Sequence, residues 1–133
     1  MTLRRTAVNP VTWSVEKGFH QGEVVSGQTR TLYLSGQTAM SEKGEPLHDG
    51  DMAAQLALSA DNVEAVLAEA GMSLANLVRL NVYTTDVDLL FQHYGVLAAR
   101  LAAAGVAPTT TMLGVTRLAI PGQLVELEGT AVD

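Results

Sequence analysis

The sequence predicts an α+β protein: a mixed sheet of about six strands with two helices packed on one face. Three observations predict it. Short stretches such as Leu77–Thr84 alternate apolar and polar residues with the period of a strand. Two longer stretches place apolar residues three and four apart, the period of a helix. The elements follow in the order hairpin, helix, strand, helix, strand, strand. Two helices can cover one face of such a sheet and not both.

In chain order, the first ten residues, ending at Pro10, read as irregular, with Arg4 and Arg5 a solvated start, and Val11–Val15 as an edge strand. Gln21–Val25 and Thr31–Ser35 flank the turn Ser26-Gly27-Gln28 and read as a β-hairpin. The second of these runs into Leu32-Tyr33-Leu34-Ser35-Gly36-Gln37-Thr38, an apolar strand closed by a small polar corner. Glycine at that corner permits a backbone shape or a close approach that a side chain would block. Lys43-Gly44-Glu45-Pro46 is a turn. From Asp51 to Ala70, Ala53, Leu56, Ala60, Val63 and Leu67 form one apolar stripe. Asp49 or Asp51 caps its start and Gly71 ends it. The strand Leu77–Thr84 follows, and Thr85-Asp86 caps a second helix over Asp88–Ala104 with the stripe Leu90, Tyr94, Leu97 and Leu101, closed by Gly105. Gly95 inside that pattern costs about 1 kcal/mol relative to alanine, and close packing would account for it. Thr109–Thr116 and Leu124–Val132 are the last strands. Apolar residues on both sides of several strands, Val24-Val25, Leu32 and Leu34, and Met112-Leu113, call for a covered second face, most economically by a closed homo-oligomer with pockets between subunits.

Composition narrows the function classes. The chain has 133 residues, 47% apolar and 17% charged, and reads as one domain over 1–133. Its net charge of −6 and lack of a basic stripe argue against nucleic acid. It contains no cysteine, which excludes disulfides, thiolate metal sites and a cysteine nucleophile. It has no apolar run long enough for a membrane span and no signal-peptide pattern, so a cytoplasmic location is expected. His20, His48 and His93 lack metal-ligand spacing, and no phosphate-cradling or nucleophile-elbow motif is present, so neither metal nor cofactor is expected.

The residues that suit chemistry are few. Glu126 and Glu128 lie two apart in the last strand and share a face. Two such carboxylates raise at least one pKa between them, which suits a general acid or base, or a group that holds an attacking water. A solvated edge, or an ion pair with Arg79 or Arg117, accounts for the same pair. Thr109-Thr110-Thr111 suits a strand by β-branching alone, and equally a pocket wall. Trp13 and Phe19 suit core or interface filling.

Four stretches together resemble the RidA/YjgF family of small reactive-intermediate deaminases: the corner at Tyr33–Thr38, Gln55 to Asn62 with Val63, Val78-Arg79-Leu80-Asn81-Val82-Tyr83-Thr84-Thr85-Asp86, and Val125-Glu126-Leu127-Glu128-Gly129-Thr130-Ala131. They span most of the chain in the family's order. The resemblance implies a chorismate-mutase-like (bacillus type) α+β fold, a homotrimer, and pockets between subunits. In the deaminating branch those pockets hydrolyse enamines or imines made by amino-acid dehydratases and release ammonia.

Residue by residue, the resemblance places the water-holding glutamate on Glu126 and the pocket wall on Ser35 and Gly36, with Gln37 beside them. The family's substrate-carboxylate arginine falls on Thr110, which cannot make two parallel charge-assisted bonds. The family tyrosine falls on Phe19, which lacks the hydroxyl, and Arg117 matches a different arginine of the family. Phe91 in the second helix joins Phe19, Ser35, Gly36, Gln37, Thr110 and Arg117 as a candidate ligand contact. The expectation is a member of the branches without the arginine, with a ligand that is less anionic or differently held. Three functions stay open: a small-molecule hydrolase or deaminase, a non-catalytic ligand-binding trimer, and other acid–base chemistry in the same pocket.

Overall fold

The computed structural model describes residues 2–133. Six strands and four helices form an α+β protein: β1 (Arg4–Val8), α1 (Trp13–Glu16), β2 (Gly22–Ser26), β3 (Thr31–Gln37), α2 (Met52–Glu69), a 3-10 turn (Leu74–Asn76), β4 (Leu77–Thr84), α3 (Val87–His93), α4 (Gly95–Ala103), β5 (Thr109–Gly114) and β6 (Val125–Val132). The strands form a four-stranded mixed sheet, β3-β6-β4-β5, and a separate pair, β1-β2. In the larger sheet only β4 and β5 run parallel.

The helices cover one face of that sheet. Leu34, Leu80, Val82, Val125, Leu127 and Ala131 point from the strands into a core shared with Leu56, Val63 and Leu67 of α2, Leu90 of α3, and Leu97 and Leu101 of α4. The Asp51 carboxylate caps α2 by accepting from Ala54 N at 3.1 Å, and Gly71 follows it at φ 74°. Arg100 ties α4 to α2, donating to Asp61 at 2.6 Å and Glu64 at 2.8 Å.

Four expectations are corrected. The segment read as irregular contains β1, where Arg5 is anchored: its guanidinium pairs with Glu23 at 2.9 Å and donates to Ala75 O at 2.6 Å and Leu77 O at 2.7 Å. Val11–Val15 is not an edge strand; Trp13–Glu16 is a short helix. The hairpin across Ser26-Gly27-Gln28 does not form, because β2 pairs with β1 while β3 pairs with β6. The second long helix is two, broken at Tyr94-Gly95. Gly95 is exposed, and a β-carbon there would meet nothing within 4 Å, so packing within the chain is not its reason.

The open face of the large sheet is less apolar than the sequence suggests. Leu32 and Leu34 both turn toward the helices, paired with Ala131 and Gly129. The open face instead carries Arg79, Asn81, Tyr83, Glu126, Glu128 and Thr130, with Tyr33 at 78% and Leu113 at 50% exposure as its bare apolar groups.

Candidate functional site

The corner Ser35-Gly36 is a bulge. Between Leu34 and Gln37 the register of β3 on β6 shifts, so β3 spends one more residue than its partner. The bulge brings Gly36 over the side chain of Glu126. A β-carbon on Gly36 would stand 2.5 Å from Glu126 Oε1 and 2.7 Å from its Cδ. Gly36 does not have positive φ; of the two reasons for a glycine here, close approach is the one that applies. Gln37 Nε2 donates to Ser35 O at 3.2 Å and braces the bulge.

Buried carboxamides fix the chain on either side. Gln55, fully buried in α2, donates to His48 O and Gly122 O, both at 2.9 Å, and accepts from Leu124 N at 2.7 Å. Asn62, two turns on, donates to Thr38 O at 3.0 Å and Met40 O at 3.1 Å. Gln123 accepts from Ala39 N at 2.9 Å. The segment leaving β3 and the segment leading into β6 are thus held to one helix by side-chain amides, where an apolar contact would leave buried backbone groups unpaired.

Glu126 and Glu128 share the open face but not the same surroundings. Glu128 accepts from Asn81 Nδ2 at 3.1 Å and from the Tyr83 hydroxyl. That bond to Glu128, together with burial, raises the Tyr83 pKa. Arg79 is spent nearby, donating to Asn81 Oδ1 at 3.0 Å and Thr111 Oγ1 at 2.6 Å. Neither glutamate is in a salt bridge among the described residues, so of the two plainer readings the ion pair with Arg79 or Arg117 does not form. The half-buried Glu126 carboxylate accepts no hydrogen bond from any described residue. Burial, then the charge of Glu128, pushes its pKa above the ordinary carboxylate value. One carboxylate of the pair is engaged by two donors at its Oε1, and the other accepts none and is free to bind water or ligand.

The remaining candidates separate into two places. Phe19 and Thr110 line one hollow of about 70 Å³. Phe19 meets Trp13 edge-on at 5.8 Å between ring centroids. The Thr110 hydroxyl donates to Pro108 O at 2.7 Å. Thr110 pairs with Leu80 and so lies on the helix side of the sheet, whereas Glu126 pairs with Tyr83 on the open side. Three residues and two strands separate them, roughly 14 Å along the sheet from standard spacings. Arg117 is exposed and lines another hollow with Thr85 and Leu118. Phe91 is 63% exposed on α3. Within one chain the structure joins Ser35, Gly36, Gln37 and Glu126, and separately Phe19 and Thr110; it brings neither Arg117 nor Phe91 to either group. The partners of Glu128, Tyr83 and Asn81, escaped the sequence analysis as site residues, although their alternation with Arg79 in β4 placed them on one face.

Fold and site together define a small α+β protein that presents one carboxylate without a donor among the described residues beside a glycine bulge on a largely polar sheet face. A profile of the endoribonuclease L-PSP family matches residues 14–133. The RutC family protein YjgH of Escherichia coli is 29% identical over 117 residues, 88% of each chain. Among solved structures, the Rid-family protein YyfB of Yersinia pestis superposes with TM-score 0.81 at 32% identity, over 96% of this chain and 98% of that one. Escherichia coli TdcF, solved with bound serine, superposes with TM-score 0.70 at 26% identity, over 86% of this chain and 87% of that one. The chain belongs to the endoribonuclease L-PSP family, the RidA/YjgF family, and has its chorismate-mutase-like fold.

Proposed function

We propose that this protein is a RidA-like hydrolase of small imines or enamines, acting as a homotrimer with its pockets between subunits. The observation that carries the proposal is the Glu126 carboxylate, half-buried, without a donor among the described residues, and pressed against the Gly36 bulge. A carboxylate whose pKa is raised by burial is a stronger base toward water than a free one. Glu126 takes a proton from a bound water as its oxygen adds to the imine carbon. That forms a C–O bond and moves the C=N electron pair onto nitrogen. The proton then passes to nitrogen, giving a carbinolamine; its hydroxyl proton passes by way of Glu126 to the amine nitrogen as the C–N bond breaks and C=O forms, and ammonia leaves. Water is the only co-reactant.

The separation of the two candidate groups supports a composite pocket. Ser35, Gly36, Gln37 and Glu126 of one protomer would meet the Phe19–Thr110 hollow of the next, since one chain keeps them on opposite faces. TdcF is a structural relative whose crystal structure holds serine, a small polar molecule, which fits a pocket of this kind. The test is ammonia release from imines generated in situ by an amino-acid dehydratase, with the oligomeric state measured in the same preparation.

A second reading is ligand binding without turnover. The Thr110 hydroxyl, at the position of the missing arginine, is already engaged by Pro108 O. Ligand binding that persists with no ammonia released at any enzyme concentration would select it.

A further inference from the structure

Tyr83 and Glu126 stand directly opposite each other on β4 and β6, and Asn81 stands opposite Glu128. Opposite side chains are close neighbours across a sheet, and the diagonal partner two residues on stays within reach of an aromatic side chain. The Tyr83 hydroxyl takes the diagonal. It donates to Glu128 Oε1, which also accepts from Asn81 Nδ2 at 3.1 Å, and passes over the carboxylate opposite it. The bond to Glu128, then burial, raises the Tyr83 pKa, so the hydroxyl keeps its proton to donate. On the other flank, β3 brings Glu126 no donor. Gly36 has no side chain, and the Gln37 amide donates to Ser35 O at 3.2 Å. The charged and titratable groups facing Glu126 are therefore Glu128 on its own strand and Tyr83 on β4. Arg79 lies further along β4, held by Asn81 and Thr111.

We propose that Glu128 is a positioning residue: it captures the Tyr83 hydroxyl and so keeps Glu126 free of a donor. The proposal deepens the function given above and rests on Glu126 as its base. A carboxylate that accepts a hydrogen bond is a weaker base, and the donor fills a site that the reacting water needs. Without an acceptor at position 128, the carboxylate left to Tyr83 is the one directly opposite, Glu126. The exchange needs only side-chain torsions, because both glutamates project from one strand on one face. The second glutamate of β6 thus acts as neither acid nor base; it holds a competing donor away from the first.

The test compares Glu128→Gln, which keeps the acceptor, with Glu128→Leu, which removes it, in the whole assembled protein. Both remove the charge, so the charge does not account for a difference between them. Turnover of Glu128→Leu should fall at least about tenfold below that of Glu128→Gln, the usual worth of a hydrogen bond to a charged group. The acid limb of its pH–rate profile should lie at lower pH. Adding Tyr83→Phe to Glu128→Leu should restore both, a rescue that a merely structural role of Glu128 does not produce. A second measurement needs no turnover: NMR of isotope-labelled glutamate carboxyl groups, with the Glu126 signal assigned from Glu126→Gln. In the Glu128→Leu background, Tyr83→Phe should raise the pH at which Glu126 titrates. A Glu126 titration that Tyr83→Phe leaves unmoved there, or equal turnover in Glu128→Leu and Glu128→Gln, overturns the proposal. If no variant and no wild type releases ammonia while the Glu126 titration moves as described, the hydrolase reading fails and the placement of Tyr83 by Glu128 is supported.

Discussion

Gly36 and Glu126 are packed so closely that no side chain fits between them: a β-carbon on Gly36 would stand 2.5 Å from Glu126 Oε1. The obstacle is the far end of a flexible side chain rather than backbone, so Gly36→Ala should fold with a melting temperature within a few degrees of wild type, about 1 kcal/mol or less. It should nevertheless displace the carboxylate, and a displacement near 1 Å can cost about a hundredfold in rate. We expect turnover to fall by at least about tenfold. Equal loss of stability and activity would mean that the glycine serves the fold alone.

The acid limb of the pH–rate profile should report Glu126, above the ordinary carboxylate range because burial and then Glu128 raise its pKa. Glu128→Gln keeps an acceptor for Asn81 and Tyr83 and removes the charge. The acid limb should then move to lower pH, with the part due to burial remaining. The same linkage fixes the sign for stability. A carboxyl group whose folded pKa is raised holds its proton longer in the folded state, so its contribution declines as pH rises from the unfolded pKa through the folded one. An acid limb that does not move in Glu128→Gln would show that the titrating group is not Glu126.

Gln55→Ala removes three hydrogen bonds from a fully buried position and strands Leu124 N and two carbonyls. A loss of about 2–3 kcal/mol is expected by urea denaturation, from the cost of buried unpaired groups. Because Leu124 leads directly into β6, turnover measured well below the melting transition should fall as well. A loss in stability with unchanged turnover would dissociate the carboxamide clamp from the site.

A pocket shared between protomers predicts complementation. Thr110→Phe fills the hollow and Glu126→Gln disables the carboxylate, so each homo-oligomer should be inactive. Mixed assemblies should regain activity, up to about a quarter of wild type when subunits mix at random around a ring, because that share of sites receives both intact halves. Mixtures that stay inactive after verified subunit exchange would place the complete site within one chain.

Much of the fold was legible from local pattern. The stripe Leu56–Ala60–Val63–Leu67, the Asp51 cap and Gly71 define α2 to within a residue or two, and β4 occupies the segment its alternation marks. Strand pairing was less legible. A short turn after Val25 invites a hairpin, yet β2 joins β1 and β3 joins β6, with Asp133 meeting Arg30 through the backbone. The competing strand, Arg4–Val8, begins with two arginines that look like a solvated end, and only the remote Glu23, Ala75 and Leu77 account for Arg5. At the candidate site, the shared face of Glu126 and Glu128 followed from their spacing. What separates their environments is the donors on β4 and the bulge at Gly36, both set by long-range register. The same register puts Thr110 and Glu126 on opposite faces, which spacing along the chain does not reveal.

The central claim is that the Glu126 carboxylate activates water on an imine. Ammonia release should be measured with dehydratase-generated imines for wild type and Glu126→Gln, with assembly and ligand binding confirmed equal in both. Wild type should accelerate release above the spontaneous rate, and the variant should return it to that rate, a loss of at least about a hundredfold for an essential base. Ammonia release by Glu126→Gln at the wild-type rate would contradict the account.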